Sequence, residues 1–253
     1  MRLLGRKFWV HITCSLWPAA RLLGLIRPLQ LDDPLVRIGP QGDGGYLLPS
    51  RLQSVEAVFS PGVALSSDFE LVFAKRGVPC FLIDGSVDSA AASHTNLFFD
   101  RLWLGTEPLD RGSISLEEWV ETKAPDSNHL LLQMDIEGAE WAVVSEARRG
   151  LLKKFEMIVI EIHNLGTKLK KTHQRAQVAK FIRALTRDHF VAHFHPNNCC
   201  PVEEIEGVTV PNVVELTLLR KNEWMPSRRV FASLPHQLDI PNVAGPDIDA
   251  PWR

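Results

Sequence analysis

The stretch LLLQMDIEGAEW, Leu130 to Trp141, is where the fold becomes readable. Leu130–Asp135 is an apolar run of strand length that ends on an acid. A second carboxylate, Glu137, follows two positions later, then Gly138, then a helical pattern over Gly138–Arg149 that Gly150 stops. Strand, polar end, glycine turn and helix in that order make one βα unit of a parallel sheet. The same alternation extends outward in both directions. Upstream stand strand candidates at Val55–Phe59, Val78–Asp84 and, more weakly, Leu97–Leu104. Ser67/Glu70 and Ser115/Glu118 have the spacing of capping boxes that open the intervening helices. Downstream, Met157–Ile162 is a nearly continuous apolar run, as expected of a strand buried on both faces. Val178, Phe181, Ile182 and Leu185 then form one buried helical stripe, and Phe190–His195 and Val213–Leu219 complete the set. Alternation of this kind predicts an α/β fold with helices on both faces of a mostly parallel sheet. Between His195 and Val213 there is no helical periodicity, so the last two strands are expected to pair antiparallel.

The composition agrees with a folded domain. The 253 residues carry 28 Lys+Arg against 30 Asp+Glu, a net charge of −2, without the basic excess that nonspecific nucleic-acid binding requires. With 45% hydrophobic and 23% charged residues the chain is not of disordered type. Cys14, Cys80, Cys199 and Cys200 form no C-x-x-C pair, which leaves reduced thiols in a cytoplasmic setting as the expectation. Phe8–Ile26 is about as long as a bilayer span, but His11, Pro18 and Arg21 interrupt it and no cleavage pattern closes it. Arg2, Arg6 and Lys7 ahead of it make residues 1–27 a candidate peripheral membrane contact. A helix packed on the domain and a disordered leader are the alternatives. The expected organisation is a leader over 1–34, one domain over 35–224, and an irregular tail over 225–253.

Ligands of open α/β sheets bind outside the carboxyl ends of the strands. Those ends carry Ser60 and Gly62, Asp84, Asp135 and Glu137, Glu161, His163 and Asn164, and then His195, Asn197 and Asn198. Core packing alone does not put polar residues at five strand ends. Gly62 and Asp84 are spaced like a glycine turn and a ribose-gripping acid, although G-x-G-x-x-G is absent and speaks against a dinucleotide pyrophosphate. Glu161 and His163 share a face if extended. With Asp135 and His195 they form a set suited to general-base work or to a divalent cation. The alternatives are structural: Asp84 as a turn residue, Glu137 and Glu140 as helix N-terminal acids, His195 as a loop hydrogen-bonder. Gly42-Asp43-Gly44-Gly45-Tyr46, with the sole tyrosine, is either a tight turn or a loop over a ligand.

LLLQMDIEGAEW, with VIEIH at 159–163 and SLEEW at 115–119, resembles the FkbM-type class of S-adenosylmethionine-dependent methyltransferases. Asp43–Tyr46, Phe59–Val63, His195–Asn198 and Asn212–Thr217 extend the likeness over residues 35–221. The resemblance implies a Rossmann-like class I methyltransferase fold, seven-stranded and mostly parallel with the last strand antiparallel. It implies S-adenosylmethionine as cofactor, with Ser60 and Gly62 along its methionine portion and Asp84 on its ribose; Asp135 is assigned to the same cofactor site. Asp135, Glu161 and His163 are then candidate ligands of Mg²⁺ or Mn²⁺, with His163 or His195 as a metal-free base in competition. The expected activity is O-methylation of a small-molecule or glycan hydroxyl. A metal-dependent hydrolase and a catalytically silent Rossmann-like binding module are the alternatives.

Overall fold

The computed structural model describes residues 17–63, 66–106 and 112–252. Cys14 and the first part of the Phe8–Ile26 segment lie outside the described residues. In chain order the elements are α1 (Ala19–Leu23), β1 (Leu35–Ile38), β2 (Tyr46–Pro49), β3 (Ala57–Pro61), α2 (Asp68–Ala74), β4 (Cys80–Ile83), β5 (Leu97–Asp100), β6 (Trp103–Gly105), β7 (Ser113–Ser115), α3 (Leu116–Lys123), β8 (Leu130–Met134), α4 (Glu140–Glu146), β9 (Phe155–Ile162), α5 (Leu165–Lys170), α6 (Arg175–Thr186), β10 (His189–Ile205), β11 (Val208–Arg220) and α7 (Lys221–Trp224). Seven strands form the main sheet in the order β10-β11-β9-β8-β3-β4-β5. The pairs among β5, β4, β3, β8 and β9 are parallel, and β11 alone runs against its neighbours β9 and β10. This is the Rossmann-like seven-stranded arrangement, with the antiparallel last strand, that the sequence predicts.

Period-2 alternation sorts the side chains onto two faces. On one face Leu130, Leu132 and Met134 join Ile158, Ile160 and Ile162 in a core covered by α1, α3, α4 and α6. On the other, Leu131, Met157, Val159 and Leu219 pack with α2 and the β1–β2 hairpin. Every residue of β9 is buried, as its apolar run requires. Val178, Phe181, Ile182 and Leu185 are the buried stripe of α6.

Four local expectations need correction. The α2 N-cap, Ser67, makes no side-chain cap bond, because Glu70 turns inward to Ser60 instead of back to the cap. At α3 the Ser115 hydroxyl does accept the Glu118 amide, at 3.2 Å. The single strand expected over Leu97–Leu104 is two strands: β5 stays in the main sheet, whereas β6 leaves it to pair with β7. The helix expected over Gly138–Arg149 spans only Glu140–Glu146, since Glu137 and Gly138 have φ of 54° and 103°, and Ala147 has extended ψ. The stretch between His195 and Val213, outside the strands expected at Phe190–His195 and Val213–Leu219, continues β10 and β11 to a tight turn at Glu206-Gly207, both at positive φ. Nothing in its composition resembles a conventional N-G or D-G hairpin signal.

The described part of the N-terminus packs on the domain. Ala19, Leu22, Leu23 and Ile26 are at most 1% exposed. Arg175 fastens this segment by donating to the carbonyls of Trp17 and Leu169 and to Glu206, whose other oxygen accepts the Ala19 amide. Among the described residues no helix is long and apolar enough to cross a membrane. Beyond α7 the chain wraps back, bridging Leu29 through Phe231 and returning to the carboxyl end of the sheet at Asp239–Asp247. Cys80, Cys199 and Cys200 are free thiols.

Candidate functional site

The alternation that builds the core also builds the site. Continuing the columns of the β2-covered face one step past the apolar residues gives Asp135 after Gln133, Glu161 after Val159, and Glu215 after Thr217. Glu215 is in direct register with Glu161 and with His195, so an acid–acid–acid–imidazole row crosses four adjacent strands, at the ends of β8 and β9. Glu161 is 4%, Glu215 5% and His195 2% exposed.

His163 closes this row from above. Its Nε2 lies 3.3 Å from Glu137, 3.6 Å from Glu161 and 3.9 Å from Asp135, and its Nδ1 lies 3.4 Å from Glu140. Burial by itself would lower the imidazole, but the Glu140 hydrogen bond and charge, helped by Asp135 and Glu137, raise it above the ordinary histidine value. Burial raises the Asp135 carboxyl, with His163 opposing part of the effect. Glu161 is raised by burial and then by the negative neighbours Asp135, Glu215 and Asp43. Glu140, fully buried, is the anchor: it accepts the amides of Gly138 and His163 at 2.8 and 2.7 Å, while the Trp141 indole donates to the His163 carbonyl at 2.7 Å. The M-D-I-E-G-A-E-W run therefore shapes the β8 turn and fixes the β9 turn against it.

Two cavities, of about 330 and 320 Å³, share Gly62 and Asp135 in their walls. The first is bounded by Asp43, Tyr46, Phe69 and Gln133, the second by Asp84, Ser86, Leu102, Trp103 and Ile136. Gly62 has φ +81°, and a Cβ there would stand 1.6 Å from the Asp135 carbonyl oxygen. Only glycine lets β3 and β8 approach this closely where the cavities meet. Asp84 is 6% exposed and accepts the Ser86 amide and hydroxyl at 2.7 and 2.6 Å, so it shapes its own turn as well as facing the second cavity.

Two predicted residues sit elsewhere than expected. Ser60 is fully buried beneath the first cavity, within hydrogen-bond reach of Glu70 and, at 2.5 Å, of Gln133. Burial raises the Glu70 carboxyl. The Ser60 hydroxyl stands between the Glu70 carboxyl and the Gln133 side-chain oxygen and has one proton to share between them, and Gln133 donates to the Tyr46 hydroxyl at 3.3 Å. Ser60 thus supports the floor and presents no side chain to a ligand. His195 is held between Glu215, 3.1 Å from Nδ1, and Asp247 of the tail, 3.6 Å from Nε2. It joins the far end of the row and is not brought to His163. Asn197 donates to Glu161 at 3.1 Å, and Asn198 ties down the tail at Val243 and Pro246.

Sequence reasoning passed over Glu140 as an anchor, Gln133, Glu70, Asp43 and Glu215. Glu215 carried a usable signal, a lone acid inside the apolar run VVELTLL. Asp43 lies in the glycine loop that reads as either a tight turn or a loop over a ligand, but nothing in the sequence marks its carboxylate as part of the strand-end row. Among the described residues two groups have ligand atoms within 4.8 Å of one another: Asp135, Glu161 and His163, and Asp43, Glu161 and Glu215.

The family model of the Methyltransferase FkbM domain matches residues 80–189. The match begins at β4, contains Asp84, Asp135, Glu161 and His163, and ends where β10 starts. It agrees with the resemblance carried by M-D-I-E-G-A-E-W and supports methyl transfer in general. No curated protein matches the chain.

Proposed function

We propose that the chain is an S-adenosylmethionine-dependent methyltransferase acting on a hydroxyl of a small molecule or glycan. The observation that carries this reading is the Gly62–Asp135 approach at the junction of two cavities, inside a sheet whose β4–β9 segment matches the FkbM domain. The second cavity fits the cofactor's nucleoside: Leu102, Trp103 and Ile136 offer apolar walls, Asp84 offers a carboxylate for paired hydroxyls, and no described Lys or Arg lines it. A ligand with ribose and no phosphate matches such a lining. Bound there, the cofactor supplies an electrophilic methyl group.

The remaining work falls to the chain itself. Gly62 and the β3 turn offer backbone to the ligand at close range, and Asp84 orients it. The acceptor hydroxyl has to lose its proton and be aligned for in-line attack, where positioning contributes much of the rate. Asp135, Glu161 and His163 stand on the far side of Gly62 for that purpose. Either His163 takes the proton directly, or the three side chains hold a divalent cation that acidifies the hydroxyl. Glu140 keeps the His163 ring in place in both cases, and His195 holds Glu215.

Calorimetric titration of the full chain with S-adenosylmethionine and S-adenosylhomocysteine, with NAD and ATP as controls, tests the reading. Selective binding of the first pair is expected. Absence of binding in folded protein shown to carry no cofactor from purification overturns it and leaves a metal-dependent hydrolase to be tested at the same acidic cluster.

A further inference from the structure

Glu161 and Glu215 face one another in antiparallel register, and the loop of glycines at 42–45 lowers Asp43 onto the pair. Like charges directly opposite on neighbouring strands are destabilising unless something lies between them. Among the described residues no lysine or arginine pairs with any of the three. The one nearby guanidinium, Arg37, is taken up by the carbonyls of Pro40, Gly42, Gly45 and Leu238. The set is also short of hydrogen bonds. Glu161, 4% exposed, has its Oε2 buried with no partner. Above it the tail brings Asn242, whose amide nitrogen lies 2.5 Å from Glu215 and 3.3 Å from Asp43, while its Oδ1 is buried and unpartnered. An amide nitrogen donating to two carboxylates stands where a cation would, and a half-turn of that amide exchanges the donor for an oxygen ligand.

We propose that Asp43, Glu161 and Glu215 hold a hard divalent cation of the Mg²⁺, Mn²⁺ or Ca²⁺ class, with Asn242 Oδ1 as a further ligand. An all-oxygen donor set selects hard ions over zinc or copper. Two rigid carboxylates on adjacent strands and one on an exposed loop form a site that is preorganised beneath and open above. Because Glu161 belongs also to the Asp135–His163 group, the two positions share a bridging carboxylate. The role of His195 follows: from the far end of the row it donates to Glu215 and fixes its orientation. The tail, which the FkbM match does not reach, completes the site through Asn242.

This deepens the cation reading of the same active-site row, yet it is tested by ion binding alone, so its failure leaves methyl transfer standing. Mn²⁺ is titrated into the full chain and followed by electron paramagnetic resonance and calorimetry, with Ca²⁺ in competition. Asp43→Asn and Glu215→Gln are each expected to lose one bound equivalent or to weaken it at least tenfold, whereas His163→Ala retains it. Thermal melts establish that each variant is folded. If Glu215→Gln does not fold, Asp43→Asn decides alone, since its side chain lies on the exposed loop. The inference is overturned if neither ion binds at millimolar concentration. It is equally overturned if a folded Asp43→Asn or Glu215→Gln variant keeps the wild-type number of bound equivalents at wild-type affinity, or if an equivalent is lost in His163→Ala while both of these keep all of theirs.

Discussion

Gly62 and Asp135 are pressed together so closely that a Cβ on the glycine would lie 1.6 Å from the aspartate's carbonyl oxygen. This contact joins the ends of β3 and β8 and forms the wall common to both cavities. Gly62→Ala must both strain a φ of +81° and push the two strand ends apart. A destabilisation of at least about 2 kcal/mol is expected, with S-adenosylmethionine binding lost even where the protein stays folded. Gly77→Ala is the control: φ is +85° there, but a Cβ meets nothing within 4 Å. It should show only the backbone strain, about 1 kcal/mol, and bind cofactor normally.

Glu70 gives a pH dependence of known sign. Its folded pKa lies above the unfolded carboxylate value because burial disfavours the charged form, with the Ser60 hydrogen bond opposing in part. The folded state therefore holds the proton more tightly. This group's contribution to stability is fully present below the unfolded value near 4.5 and falls as pH rises toward the folded pKa. Glu70→Gln keeps a donor toward Ser60 and has no charge to bury. The variant should gain on the wild type as pH is raised above about 4.5 and stop gaining once the folded pKa is passed, measured by chemical denaturation at each pH. Glu70→Ala, which leaves Ser60 and Gln133 short of a partner, should lose about 1–3 kcal/mol across the same range.

Arg175 is the buried fastener of the N-terminal segment. It is 5% exposed and serves two carbonyls and Glu206 together. Arg175→Ala removes a cation from partners that stay behind, so about 2–4 kcal/mol is expected to be lost. Residues 17–26 should become the first protease-sensitive site. Glu206→Gln should cost less, since that carboxylate is half exposed and solvent screens it.

The sheet was legible because its signals were redundant. β8, β9 and α6 announce themselves by continuous or 3.6-period apolar patterns, and the missing crossover after His195 marked the antiparallel strand. The errors came where a polar residue had two competing partners. Ser67 and Glu70 have capping-box spacing, but Glu70 meets Ser60 across the β3–α2 unit, a tertiary contact that spacing does not encode. Glu137 and Gly138 look like a helix start, yet their positive φ angles carry the chain through a turn before α4 begins. In the site, Asp135, Glu161 and His163 were readable from strand-end logic. The glycine loop at 42–46 was readable as a loop over a ligand, but the meeting of Asp43 and Asn242 with the row was not, because a loop and a tail reach it only through the fold.

The proposed division of the site makes a ranked prediction. Asp84 faces the second cavity beside Ser86 and Trp103, whereas Asp135 stands at the junction with its Oδ1 buried and unpartnered. Asp84→Ala is expected to weaken S-adenosylmethionine binding at least tenfold while leaving turnover at saturating cofactor within a few-fold. Asp135→Ala should lower turnover by about 10²-fold or more, in the range of losing one positioned proton-handling group, with a smaller change in cofactor affinity. The two effects are separable by calorimetry for binding and single-turnover kinetics for chemistry, using any acceptor that an activity screen supplies. Chelation adds the last discrimination at Asp135. If a cation held by Asp135, Glu161 and His163 acidifies the hydroxyl, removing divalent ions should mimic Asp135→Ala in the wild type and change nothing further in the variant. If His163 works alone, chelation leaves the wild-type rate unchanged and His163→Gln carries the loss. The opposite ranking, with Asp84→Ala impairing chemistry and Asp135→Ala impairing only binding, would refute the assignment of the two cavities.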